Sequence, residues 1–299
     1  MDVTAPRQIL PGKFYLITRR CTLRKFLLTP CARTNQIIRF ALALAAKISG
    51  VRLHAVCFMS NHWHGVVSDP EARLPQFIQE LHRLIAKAQN SWLKRRENFW
   101  SSEKTSVVRL VGDADILEKM AYTLANPTSA MLVTSPDEWP GVLSDWSTGP
   151  IEVEMPDVFF DKDGKLPKKL SLDLVRPQIY AQLTDEQLTR ALAAEVQKFV
   201  KRARAAVAEA GSSFVGAKAI LNQSFDSIPR TEVPGGTLNP RVAAKSTAVR
   251  IRVLQEMKAF VKSYRDAWVR WRDGIRDVVF PAGTYALRLY SGVLCAPPG

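Results

Sequence analysis

Long apolar runs are missing from this chain. No stretch approaches the roughly 18 consecutive apolar residues that a membrane-spanning helix needs, so no membrane partner is expected. The opening MDVTAPRQILPGKF lacks the apolar core of a secretory signal. Cysteine is scarce: Cys21, Cys31, Cys57 and Cys295 form no CxxC pair and no zinc-finger spacing. They read as reduced thiols of a cytosolic protein rather than a disulfide framework. Internal repeats and low-complexity tracts are absent as well, which excludes solenoid and fibrous architectures.

What is present is an ordinary globular composition with an unusual charge. Of 299 residues, 46% are hydrophobic and 23% charged, enough for one large or two ordinary domains. The formal net charge is +14. A surplus of that size favours a polyanionic partner, most simply nucleic acid, whose phosphates release counterions to a basic surface. Residues 1–150 and 151–299 each carry +7, so the charge is no separate tail and both halves can touch one long ligand.

The first half alternates short strands with helices. Phe14 to Arg20 reads as a strand. Asn35 is expected to cap a helix running to about Ser49, with Ile37, Ile38, Ala41, Leu42 and Ala45 on its apolar face. Leu53 to Met59 and His62 to Ser68 read as antiparallel strands joined by a turn at Ser60-Asn61. Leu74 to about Trp92 is an amphipathic helix, and Thr105 to Leu110 another strand. Asp113 to Asn126 is a helix that Pro127 should end. The order βαββαβα predicts an α+β fold, a ferredoxin- or RRM-like antiparallel sheet with helices, over residues 1–147. A boundary is expected near Trp146 to Pro150. Residues 148–299 should form a basic, mainly helical accessory domain. A β-ribbon around the Asp161–Gly164 turn would link the two. Helices are expected at Asp185 to Ala210 and roughly Val242 to Gly274, with a loop rich in Pro and Gly between.

Two short patterns carry chemistry. In Asn61-His62-Trp63-His64, side chains alternate across the strand, so His62 and His64 share one face and Trp63 and Gly65 the other. Two neutral imidazoles on one face can grip a divalent cation. Two polar residues on an exposed strand would give the same pair, but this strand is otherwise apolar and follows another apolar strand. About 60 residues later comes DADILEKMAYTLANP. Its apolar stripe is Ile116, Leu117, Met120 and Leu124, and Tyr122 lies nearly opposite the stripe's centre. Asn126 follows one turn along the same face. A tyrosine and a carbonyl-type ligand side by side suit phosphoryl chemistry. His54 reads as strand-packed and His82 as a helix-surface residue.

Taken together, these residues resemble the single-tyrosine HUH transposases, most nearly the REP-associated tyrosine transposases. The matching segments are Phe58-Met59-Ser60-Asn61-His62-Trp63-His64, Tyr122-Thr123-Leu124-Ala125-Asn126-Pro127 and Trp139-Pro140, within residues 10–147. Ser60 stands where the family commonly has Pro, and the second half lies outside the minimal family domain. The resemblance implies an HUH fold, DNA transposition, and cleavage and rejoining of single-stranded or hairpin DNA. Tyr122 would be the nucleophile, giving a 5′-phosphotyrosine link and a free 3′-OH. His62, His64 and Asn126 would hold Mg²⁺ or Mn²⁺, the latter suiting imidazole better. A cytoplasmic, nucleoid-associated protein follows, and a homodimer is compatible with the family.

Basic clusters offer a DNA path. Arg19, Arg20, Arg24 and Lys25 follow the first strand, and Lys94, Arg95 and Arg96 end the second helix. Each holds phosphates or simply faces solvent. From Arg241 to Arg276 basic residues dominate, with Phe260, Tyr264, Trp268 and Trp271 spaced as a helical stripe expected to pack inward. Two other readings stay open. One is a domesticated, non-catalytic DNA-hairpin-binding protein or repressor. The other is a metal-dependent nuclease in which water attacks and no protein–DNA link forms.

Overall fold

A computed structural model describes residues 6–144, 149–159, 164–230 and 240–298. Strand β1 (Lys13–Arg20) leads through a turn at Thr22–Arg24 to helix α1 (Ala32–Ser49), strands β2 (Arg52–Phe58) and β3 (His62–Asp69), helix α2 (Leu74–Trp92), strand β4 (Ser106–Leu110) and helix α3 (Asp113–Ser129). The expected βαββαβα order is therefore present. Beyond it lie the ribbon strands β5 (Ile151–Glu154) and β6 (Lys169–Leu172), then helices α4 (Asp185–Glu209) and α5 (Ala217–Leu221). Strand β7 (Val242–Ala243), helix α6 (Thr247–Arg272), strand β8 (Val279–Phe280), helix α7 (Ala286–Tyr290) and strand β9 (Leu294–Cys295) complete the chain.

The main sheet has the order β2-β3-β1-β4-β7. Its first four strands pair antiparallel, as the sequence predicts. The fifth, β7, joins β4 in parallel, with Arg109 opposite Val242, so the sheet is mixed. Val242 was expected to begin a helix; instead it fills the open edge of β4, and α6 starts only at Thr247, capped by the Ser246 hydroxyl. Edge pairing satisfies backbone groups that a helix start here would leave exposed. Two further boundaries differ from expectation. The N-cap of α1 is Cys31, whose sulfur accepts from Thr34 N, while Asn35 lies inside the helix and donates Nδ2 to Pro140 O. Pro127 does not end α3, which runs on to Ser129. The ring removes only one N–H so close to the helix end, where few bonds remain to be lost. The ribbon is antiparallel, Ile151 opposite Leu172, while most of its expected turn and of the expected boundary near Trp146 lies outside the described residues.

The two faces of the sheet are covered differently. On one, α1 and α2 pack over Tyr15, Ile17, Trp63 and Val67, with the β5–β6 ribbon against α1. On the other, α3 and α4 cover Phe14, Leu16, Ala55 and Val66 through Ile116, Met120, Leu188 and Leu192. This second core joins residues from both halves of the chain. A bulge at His54 lets β2 serve both: Leu53 opposes Val67 and Ala55 opposes Val66, so the two flanking residues enter opposite cores. Asp69, buried at the end of β3, accepts from Arg73 N and Leu74 N and satisfies the first turn of α2. The stripe on α6 packs inward as expected: Tyr264, Ala267, Trp268 and Trp271 meet Val278, Phe280, Leu287 and Cys295. Among the described residues, no helix is long and apolar enough to cross a membrane.

Candidate active site

The second sheet face changes character along its length. On β1 the residues facing this way are Phe14, Leu16, Thr18 and Arg20, apolar first and polar last. Antiparallel pairing sets Leu16 beside Val66, Thr18 beside His64, and Arg20 beside His62. The apolar end is closed by the first turns of α3. The polar end meets the last turns, which bring Tyr122 and Asn126. A cleft of about 1110 Å³ opens there, lined by His62, His64, Tyr122 and Asn126 together with Thr18, Arg20 and Arg24.

The four residues singled out in the sequence thus share one wall. The His62 and His64 rings lie 4.8 Å apart, edge to face. The His64 and Tyr122 rings lie 5.4 Å apart, although 58 positions separate them in the chain. Asn126 hydrogen-bonds the Tyr122 hydroxyl and favours its ionised form. Burial is the larger influence and raises the phenol's pKa above its ordinary value. The ring packs between His64 and Phe199 of α4, with Lys119 Nζ 5.8 Å from its centre.

The two imidazoles are held in the neutral form. Asn61 Nδ2 donates to Arg24 O, which fixes the amide orientation and leaves Asn61 Oδ1 as an acceptor. That oxygen is 2.7 Å from His62 Nδ1, so Nδ1 carries the proton and Nε2 keeps a free lone pair. His64 Nδ1 shares a 2.9 Å hydrogen bond with Thr18 Oγ1, leaving Nε2 as its second nitrogen. Burial, helped by Arg20 and Arg24, pulls the His62 pKa to about 4. Burial, His62 and Arg20 pull His64 well below its usual value. Both rings are therefore uncharged at neutral pH, the form that binds a cation. Among the described residues, no group of three His, Cys, Asp or Glu side chains stands together. The donor set on this wall is instead two imidazoles and an amide, which suits a borderline cation such as Mn²⁺ better than Mg²⁺.

The remaining candidates spread out. Arg20 and Arg24 line the cleft. Arg19, one residue from Arg20, points to the opposite face and donates to Ser101 O and Glu103 O. Lys25 and Arg95 both approach Asp226, at 2.7 and 3.7 Å. Lys94 and Arg96 are exposed near the end of α2. His54 is buried in its strand pair, with Nε2 2.9 Å from Ser68 Oγ. His82 is half-buried, where the sequence reading placed it on the helix surface. Trp63 Nε1 donates to its Nε2 at 3.1 Å, and its ring lies 4.8 Å from that of Trp100. The amphipathic pattern of α2 marks His82 as polar, but two indole rings enclose it.

Sequence reasoning missed the far wall. Val215, Gln223, Ile228 and Arg230 from the second half line the same cleft. The segment is tied to the first half of the chain at several points. Ser60 Oγ donates to Gln223 Oε1, Phe26 N donates to Ser227 O, and Phe225 packs its edge on Trp92 at 5.2 Å. Ser60, where a proline was expected from the resemblance, supplies the first tie with its hydroxyl. No local signal marks this segment. Thr18, by contrast, was legible as the polar member of the Phe14-Leu16-Thr18-Arg20 alternation.

No protein-family model and no curated protein matches the chain. Among solved structures, it is similar to a REP-associated tyrosine transposase bound to a REP hairpin, at 16% identity and a TM-score of 0.40, covering 59% of this chain and 94% of the other. It is also similar to a Deinococcus radiodurans R1 protein assigned as a transposase, at 17% identity and a TM-score of 0.28, covering 37% and 88%.

Proposed function

We propose that this protein is a metal-dependent, single-tyrosine DNA-strand transferase that cuts and rejoins single-stranded or hairpin DNA, and so acts in DNA transposition. The observation that carries the reading is the 5.4 Å approach of the Tyr122 ring to His64, with His62 and Asn126 on the same wall. Residues 1–147 would form the HUH catalytic unit. Residues 148–299 would act as an accessory unit that closes the cleft.

In this reading Tyr122 Oη attacks a backbone phosphorus. The P–O3′ bond breaks, the 3′ oxygen leaves as a hydroxyl, and the 5′ phosphate stays on the tyrosine. Another 3′-OH can reverse the step and join strands without ATP, because the phosphodiester energy is conserved in the link. His62 Nε2, His64 Nε2 and the Asn126 amide would hold Mg²⁺ or Mn²⁺, which supplies polarisation of the scissile phosphate and offsets developing charge. Asn61 and Thr18 hold the two rings in place from behind. Arg20, Arg24 and Arg230 give the cleft a positive lining, and none of its described lining residues is a carboxylate, so a DNA backbone meets no repulsion there.

The test is direct. Purified protein is incubated with Mn²⁺ and labelled single-stranded hairpin DNA, and adducts are resolved on a denaturing gel. A covalent adduct that disappears in Tyr122→Phe, with DNA binding retained, is the expected result. Nicked DNA without an adduct would instead indicate water as the nucleophile. Binding with no cleavage by the wild-type protein would indicate a non-catalytic hairpin binder.

A further inference from the structure

A second basic surface lies on α6, at the sheet edge. Lys258, Lys262 and Arg265 follow one another at helical spacing along one side of this helix, and Arg241, just before β7, joins them around a shallow depression of about 340 Å³. All four side chains are exposed. The helix carries seven Lys and Arg against only Glu256 and Asp266. Glu256 is engaged by Arg109 at 3.6 Å, which leaves Asp266 as the one acidic residue lining the depression. No ion pair involves the four cations among the described residues.

Like charges three and four residues apart on a helix repel and weaken it. Lys258, Lys262 and Arg265 stand in that relation, so the array costs stability unless a polyanion lies against it. Helical geometry also decides what kind of polyanion. At about 100° per residue the cations lie opposite Phe260, Tyr264, Ala267 and Trp271. Those residues are turned inward; Tyr264 and Trp271 pack against the C-terminal strands, and Phe260 is buried. The basic side therefore presents charge with no aromatic platform on which an unpaired base could stack. Phosphate is the only nucleic-acid group it is built to meet. None of these four residues lines the cleft that holds Tyr122, so the surface is separate from it.

We infer that the α6 surface binds the phosphate backbone of duplex DNA flanking the strand held in the cleft. This inference rests on the proposed strand-transfer function for its DNA partner. The depression grips phosphates without reading sequence, and the cleft takes the unpaired strand. The long second half then has a role of its own: it anchors the protein on the double-stranded side of a hairpin or junction.

The experiment compares two labelled DNAs, a short unpaired oligonucleotide and the same oligonucleotide joined to a duplex arm. Wild type is measured beside the triple variant Lys258→Gln, Lys262→Gln, Arg265→Gln, and a charge-reversed Lys262→Glu. Affinity is titrated against salt, with Mn²⁺ adduct formation as a separate readout. The triple variant is expected to bind the armed DNA about tenfold more weakly near physiological salt. Its log–log salt slope should fall by roughly 3, about one per lost phosphate contact. Lys262→Glu should weaken binding of the armed DNA as well. Binding and adduct formation on the short oligonucleotide should be unchanged, and the melting temperature should hold or rise slightly as the like-charge repulsion is relieved. Equal affinity and slope on the armed DNA overturn the inference. So does an equal loss on both DNAs, which would mean the effect passes through the cleft. So, too, would binding of wild type to phosphatidylserine vesicles through these residues with none to the duplex arm. A wild-type protein that forms no adduct on any DNA sinks the strand-transfer reading instead, and leaves the salt-slope comparison still readable.

Discussion

Strand β3 shows two different solutions on its two sides. Trp63 and Gly65 face α1 and α2, where nothing is left open: Trp63 is fully buried, stacks on Phe58 at 5.3 Å and donates to His82. His62 and His64 face a cleft; His62 Nδ1 donates to Asn61 Oδ1, and His64 Nδ1 shares one hydrogen bond with Thr18 Oγ1. One side is specified by volume and the other by polar orientation. The difference teaches that the closed side is the platform and the open side the instrument. Packing around Trp63 holds the strand while the imidazoles across it line the cleft. Substitutions on the two sides should therefore fail differently, in stability on one and in activity on the other.

The largest separation is expected for Tyr122→Phe, which should abolish the covalent DNA adduct, a loss on the order of 10³-fold or more in cleavage, with unchanged thermal stability. Denaturing gels and a melting curve on the same preparation check both halves. Trp63→Ala should do the reverse. It leaves a cavity beneath the strand and should cost about 3–5 kcal/mol in urea unfolding. Gly65→Ala is a milder version. An added Cβ would sit 2.6 Å from the Trp63 ring, so about 1–3 kcal/mol is expected as the indole shifts. If Gly65→Ala left stability untouched but removed activity, the division between the two sides would be wrong. Thr18→Val keeps the shape but deletes the hydrogen bond to His64, and should weaken Mn²⁺ binding or cleavage by about 10–100-fold without unfolding the protein.

A graded effect comes from pH. Burial is the main cause that lowers the His82 pKa to about 3 and the His54 pKa to about 4, from an ordinary 6.5. Between those values and 6.5 the unfolded chain binds protons that the native protein does not. Stability is therefore complete above about pH 6.5 and falls as pH drops toward 4, by about 1.4 kcal/mol per pH unit for each group. Urea titrations at several pH values should show this, and His82→Gln should flatten the slope by about one proton.

Much of the site was legible because it obeys local periodicity. Alternation put His62 and His64 on one face, and the 3.6-residue turn put Asn126 beside Tyr122. The apolar stripe of α3 foretold which side would be covered. The first four strands and the β2–β3 hairpin followed from the same patterns, whereas the central place of β1 between β3 and β4 did not. What escaped was long-range. Nothing near Val242 announces that it will pair with a strand more than a hundred residues earlier, since β7 is two residues long and its register comes from the partner. The lip formed by Gln223, Ile228 and Arg230 has no periodicity at all; its place depends on ties to Ser60, Phe26 and Lys25. His82 misled because a polar residue on an amphipathic helix usually meets water, and here its ring accepts from the Trp63 indole while its carbonyl accepts from that of Trp100. Arg19 shows the same logic in reverse. It neighbours a cleft residue in sequence, yet the pleat sends it to the other side.

The pleat of β3 also restricts how this chain can drift. Inserting or deleting one residue between Asn61 and Gly65 would exchange the roles of the two sides, driving an indole into the cleft and an imidazole into the packed interior. Changes in pairs would preserve the parity and merely lengthen the strand. The bulge at His54 makes the neighbouring strand a place where such an odd step is already absorbed. Length changes that survive in relatives of this protein should therefore cluster at that bulge or in the turn at Ser60, and be excluded from the three residues that carry the histidine pair.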